Sequence, residues 1–280
     1  EPQAQIVLVN GNPSAQEFDD ECLYLRTALG ILNQGPLGEI QEKDDKKPNA
    51  PISKADQEFV RSLEINEIPQ PQLNSQSLKD AKVVVLANCG TLNAQQFTWL
   101  RDFVNRGGGL LIFPGDKVNP QTYTKTFFPV PDVPDKHLLD VQLQAAKGDL
   151  VKANDRLSIG DIDYAHPVLR VFADSKSEHF SNIAVTRHFP IVIPKEAKGS
   201  RPLLGLSNKS PAIVEGQLGA GRVLMTAFPA TSRWSNLPLN GEFVPLVLRM
   251  VSYVMHRAEL EGPAVVPAGG VAEFTLANHW

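Results

Sequence analysis

The stretch that most limits how this chain can fold is residues 82–113, KVVVLANCGTLNAQQFTWLRDFVNRGGGLLIF. It opens on a continuous apolar run, 82–87, the pattern of a strand covered on both faces. Asn93 stands where a helix cap belongs. Residues 95–106 follow, with Phe97, Leu100, Phe103 and Val104 on one helical stripe. Gly107, Gly108 and Gly109 end that helix, and 110–113 forms the next strand. Strand, helix and strand joined this tightly predict a right-handed crossover and a parallel pair. The fold class is therefore α/β.

The flanking sequence extends this unit. Ile6, Val7, Leu8 and Val9 repeat the buried-strand pattern and run into the turn Asn10-Gly11-Asn12-Pro13. Residues 17–32 read as a helix with Phe18, Cys22, Leu25, Leu29 and Leu32 facing inward. Residues 35–51 read as an exposed loop with a solvated charge run, and 62–68 as a second strand. After Pro114 the texture changes. A short helix is expected over 120–128, then the Pro-rich segment 129–134. Alternation through Leu139, Val141, Leu143, Ile159, Ile162, Ile183 and Val185 predicts antiparallel strands and loops, a β-rich insertion at about 130–200. Residues 203–206 read as a strand. Residues 212–216 and 222–228 flank a glycine-bearing turn and predict a hairpin. The last helix, 242–260, places Phe243, Leu246, Val247, Met250, Val251 and Val254 on the side that lies back on the sheet. Residues 262–280 (with PAVVPAGGVAEFTL) read as a linker and the first strand of a following domain, so the chain is expected to be a piece of a longer protein. The α/β domain then spans 1–261.

Composition excludes several functions. With 27 basic and 31 acidic residues the formal net charge is −4, against the basic excess of a phosphate-tracking surface, so no nucleic-acid partner is expected. The two cysteines, Cys22 and Cys89, make neither a disulfide framework nor a four-thiolate zinc site. No run approaches the roughly 20 apolar residues of a membrane span.

The candidate chemistry concentrates at turns. Gly107–Gly109 closes a helix instead of opening one, so it reads as a cap and not a phosphate cradle. Cys89 follows a buried strand, where open α/β sheets bind ligands, but lacks the flanking glycines of a nucleophile elbow. None of His137, His166, His179, His188 or His256 is singled out as its base, and Cys89 reads as a small buried hydrophobe or as a nucleophile. Cys22 reads as core. Asp116 and Lys117, after the strand 110–113, form a surface pair or a ligand contact. Neither His179 with His188 nor His137 with Asp140 converges on a third ligand, so no metal is expected. Asp161 and Asp163 flank Ile162 without making an acid/base site by themselves. Arg233 and Trp234 combine a fork donor with a flat apolar face; they read as a packed loop or as a contact to a ligand or partner.

The segments VLVNGNPSAQEFDDECLYLRTAL, VVVLANCGTLNAQQFTWLRDFVNRGGGLLIFPGDKVNPQTY, PAIVEGQLGAGRVLMTAF and SRWSNLPLNGEFVPLVLRMVSYV resemble the class I glutamine amidotransferase-like domain of BatA-like (aerotolerance-type, N-terminal double-transmembrane) bacterial membrane-anchored proteins. That domain is related to ThuA-like proteins. The resemblance implies a flavodoxin-like three-layer sandwich with a mainly parallel sheet, and an extracytoplasmic place in the cell envelope with membrane contact only through segments outside this one. Catalytic members carry the nucleophilic Cys after the strand that here is 110–113, where this sequence has Pro114-Gly115-Asp116, and a late His-x-Glu pair is absent. The expected function is thus a non-catalytic interaction or ligand-sensing domain without a cofactor. It would bind other domains of the same assembly or a small ligand through Asn10, Asn12, Asn88, Asp116, Lys117, Arg233 and Trp234. The alternative is a cysteine-dependent hydrolase or amidohydrolase using Cys89.

Overall fold

The computed structural model describes residues 4–30, 61–127, 137–150, 156–173, 178–195, 197 and 199–256. The loop expected over 35–51, the Pro-rich segment and the linker at 262–280 lie outside the described residues.

Nine strands form one mixed sheet. Its parallel end contains β1 (Ala4–Asn10), β2 (Leu63–Pro69), β3 (Ala81–Ala87), β4 (Gly109–Phe113) and β13 (Gly221–Thr226), in the order β2-β1-β3-β4-β13. All four pairings among them are parallel. Ile6 to Asn10, Val83 to Ala87 and the whole of β4 are buried on both faces. Apart from Asn10, which closes β1, their unbroken apolar character follows from that, since no residue of these runs meets water.

Beyond β13 the pairing turns antiparallel, through β12 (Pro211–Leu218), β11 (Ser200–Leu206), β7 (Leu157–Ile162) and β8 (Ala184–Val185). The sheet is mixed, not mainly parallel. Within the segment expected as a β-rich insertion, β7 hydrogen-bonds antiparallel to β11 and extends the main sheet. Covering β11 in this way removes an open edge. What remains apart is two small ladders. β5 (Gln142–Leu143) pairs with β10 (Ile191–Val192), and β6 (Lys147–Gly148) with β9 (Arg187–His188).

Among the described residues are four α-helices: α1 (Leu23–Gly30), α2 (Ala94–Asn105), α3 (Pro120–Phe127) and α4 (Phe243–Val254). α2 begins at a full capping box, in which the Asn93 side chain accepts from Gln96 N and Gln96 Oε1 accepts from Asn93 N. It ends at Gly107, whose φ of +106 lies where a side chain is strained. The inward residues expected of α4 are all buried.

The first helix differs from expectation. Residues 17–19 form a separate 3-10 turn, and α1 starts only at Leu23. Asp20 makes the break, its Oδ1 accepting from Cys22 N at 2.9 Å as a local cap would. Phe18 therefore leaves the inward stripe and is 72% exposed. Cys22, Leu25 and Leu29 are in the core.

Candidate functional site

Parallel pairing aligns Asn10 with Ala87 and Ala87 with Phe113, so the turns after β1, β3 and β4 emerge at one end of the sheet. The loop after β13 joins them, because Met225 is level with Ile112. Open parallel sheets bind their ligands at this end. The turns approach one another closely. A Cβ on Gly11 would collide with the Asn88 backbone and lie 2.6 Å from Cys89 Cα, and one on Gly115 would lie 2.6 Å from Asn88 Oδ1.

Asn88 is the centre of this face. It is fully buried and adopts a left-handed φ of +48, which Asn tolerates better than most residues. Its Nδ2 donates to Glu21 Oε1 at 2.9 Å and to Asp116 Oδ1 at 2.7 Å, while its Oδ1 accepts from Lys117 N at 2.9 Å. Arg233 completes the cluster. Its Nη2 pairs with Glu21 Oε1, and its Nη1 lies 3.7 Å from Asp116 Oδ2. Glu21 is 1% exposed, and among the described residues neither its Oε2 nor the buried Nε of Arg233 has a hydrogen-bond partner. The hydroxyls of Thr231 and Ser235, in the same loop as Arg233, are also buried without partners. Buried groups left this way are uncommon, and two of them, Glu21 Oε2 and Arg233 Nε, belong to the cluster itself.

Asn10 anchors a second, adjoining cluster. Its Nδ2 donates at 3.0 Å to both Asp20 Oδ2 and Glu67 Oε1, and its Oδ1 accepts from Asn12 N at 3.1 Å. Asn12 thus takes part through its backbone. The oxygens of Asp20 and Glu67 and the sulfur of Cys22 lie within 4.8 Å of one another, a spacing that suits a cation. Yet Asp20 also accepts from Ser14 N and Cys22 N, and Arg26 pairs with Glu67. The Arg26 guanidinium already offsets part of the cluster's negative charge, and a metal would have to compete with it.

Cys89 lies under this face, 1% exposed, with Sγ 3.5 Å from Val9 O and 3.8 Å from Ala87 O. Burial pushes its thiol well above the ordinary range, which favours the neutral donor over a thiolate. Its own carbonyl accepts from the buried Tyr123 hydroxyl. Cys22 is pushed up likewise, by burial first and then by Glu67 and Asp20. Three buried histidines have partners elsewhere: His166 with Glu215 at 3.1 Å, His179 with Glu242 at 3.4 Å, and His188 with Asn208 at 3.4 Å.

The Arg-Trp pair divides. Arg233 turns to Glu21 and Asp116, whereas Trp234 is buried against Phe189 at 5.0 Å, with the Arg187 guanidinium 4.8 Å from its ring centroid. Trp234 packs the loop instead of facing outward with Arg233. Asp116 and Lys117 are exposed beside the cluster. Glu21 and Asp20, which the sequence reading did not select, hold the two clusters together. The available signal was the acidic run Asp19-Asp20-Glu21 just before an apolar helix, a start pattern that marks the break in the predicted helix.

No helix among the described residues is long and apolar enough to cross a membrane. No family model matches the sequence, and no curated protein matches it. In three dimensions the chain is similar to two cytoplasmic proteins from Salmonella typhimurium. The TM-scores are 0.57 and 0.56 at 11% and 13% identity, over 90% and 89% of this chain and 98% and 99% of those chains. A ThuA-like protein from Bacteroides uniformis is similar at a TM-score of 0.55 and 12% identity, over 90% of this chain and 91% of that one. At such identities the likeness is one of fold, and the fold is that of an α/β protein with a ThuA-like structural neighbour.

Proposed function

We propose that this chain is a non-catalytic, class I glutamine amidotransferase-like module of a membrane-anchored bacterial envelope protein, and that it binds a partner domain or small ligand through its strand-end face. The strand order β2-β1-β3-β4-β13 is the flavodoxin-like 2-1-3-4-5 order, which supports the three-layer reading implied by the sequence resemblance. The observation that carries the functional reading is the way the face is locked. The buried Asn88 and Glu21 hold Asp116, Lys117 and Arg233 in place, so the accessible groups that would meet a partner are pre-positioned. After β4, where catalytic relatives of the implied family place their nucleophile, Asp116 instead bonds to Asn88. The enzyme alternative needs Cys89 as a thiolate beside a base. Its burial and its carbonyl contacts favour the neutral thiol.

The test is a photo-crosslinking residue placed at Lys117 in the full-length protein, expressed in its own cells, with Lys79 as an exposed control outside the face. A discrete adduct from position 117 and none from 79 is the expected result. Equal labelling at both positions removes the binding face. Native Cys89 alkylating at the rate seen in urea removes the non-catalytic argument.

A further inference from the structure

Away from the strand ends, an open groove of about 300 Å3 runs along the junction of β7 and β11. Leu204 lies opposite Ile162 and Leu206 opposite Ile159, so β7 uses one more residue than β11 between the two pairs. The extra residue is a bulge, a device that redirects a side chain. Gly160 lets the backbones close there, since a Cβ would sit 2.8 Å from Leu206 O. The Asp161 side chain is 73% exposed, and Lys209 Nζ meets it at 3.1 and 3.2 Å. Asp161, Asp163 and Lys209 line the groove together with Pro202, Leu204 and Pro211. The Asp161 carboxylate meets the Lys209 ammonium, and Asp163 adds a second carboxylate to the same lining, beside apolar residues.

We propose that this groove binds an organic cation, a primary ammonium on a compact apolar body. Asp161 and Asp163 take the ammonium, and the body lies on Pro202, Leu204 and Pro211. Charge complementarity sets the choice, because the lining carries a surplus carboxylate. Asp163 has capacity to spare. Its Oδ1 accepts from Ala165 N, and its Oδ2 has the Arg201 guanidinium only at 3.7 Å. Lys209 acts as an internal stand-in for the ligand, and it gives way easily, since both partners of its ion pair are mostly exposed and such pairs hold weakly. The volume lies at the small end of ligand sites, roughly 300–1,000 Å3, which suits a single ring or short chain.

The experiment titrates benzylammonium, benzyl alcohol and phenylacetate into the protein, with backbone amide chemical shifts as the readout. Benzylammonium should give saturable shifts at Ile162, Leu204 and Lys209, with benzyl alcohol weaker by about fivefold and phenylacetate weaker still. D161N/D163N should weaken benzylammonium by about fivefold or more, and K209M should tighten it by removing the internal competitor. Asp161 and Lys209 are exposed and Asp163 is partly exposed, and an unchanged melting temperature shows that the fold of both variants is intact. Phenylacetate binding as tightly as benzylammonium, shifts that never saturate, shifts confined to other residues, or indifference to D161N/D163N would each overturn the proposal.

Discussion

Replacing Asn88 probes the strand-end cluster directly, because the residue does two things at once. Its side chain makes three hydrogen bonds, two of them to carboxylates, and its backbone holds φ at +48. In Asn88→Ala, Glu21 is left as a buried carboxylate with a single remaining partner, Arg233, a loss of about 2 kcal/mol. The exposed Asp116 recovers water, and Lys117 N loses its acceptor, which together add about 1 kcal/mol. A left-handed alanine adds about 1 kcal/mol more. The sum is about 4 kcal/mol, a large part of the roughly 5–15 kcal/mol that holds a domain folded. Asn88→Gly loses the same bonds without the left-handed cost and should be milder by about 1 kcal/mol. Asn88→Asp keeps the acceptor for Lys117 N but sets a third carboxylate against Glu21 and Asp116. That new carboxyl has a raised pKa in the folded state, so its penalty is full only above that raised value and fades as the pH falls from it toward the unfolded value of about 3.9. Urea unfolding followed by tryptophan fluorescence at pH 7 and pH 4 measures all three differences. An alanine variant within about 1 kcal/mol of wild type, a glycine variant less stable than the alanine one, or an aspartate variant equally penalised at both pH values would refute the reasoning.

Three other outcomes are expected. Asn93→Ala removes one half of the capping box of α2 and should cost about 1 kcal/mol in urea unfolding. Gly221→Ala drives a methyl into the carbonyls of Val104 and Gly108 and should destabilise severely, whereas Gly199→Ala, whose new methyl would be 3.4 Å from one Asp140 oxygen, should be near neutral in thermal melts. Burial alone would raise Glu215, but hydrogen bonds from His166, Arg201 and Tyr253 outweigh it and hold its carboxyl at about 2. Its contribution to stability is therefore full above about pH 4.5 and lost as the pH falls toward 2. The stability difference between wild type and Glu215→Gln should shrink over that window in denaturant titrations.

The βαβ unit was legible because every signal that specifies it is local. The valine run, the Asn93 cap, the 3.6-residue stripe and the glycine stop lie within about thirty residues and agree with one another. The turns of the candidate face were legible for the same reason, since β1, β3 and β4 each end in an Asn- or Gly-bearing turn. Local periodicity misled at Phe18. Its spacing to Cys22 and Leu25 fits a helix, but Asp20 prefers to bond its own backbone, and the helix starts three residues later. The roles of Glu21 and Arg233 were not legible, because 212 residues separate them and no residue near either one signals the other.

By itself, the order of residues determined which segments become strands and helices and which ends of the strands lie together, because backbone hydrogen bonding and the covering of apolar faces act over short stretches. Tertiary structure alone decided that Arg233 turns to Glu21 while its neighbour Trp234 turns to Phe189, and that β7 joins the main sheet. Those choices depend on which charges and which free edge meet when distant segments pack, and a buried charge takes whatever counter-charge the finished fold brings within reach.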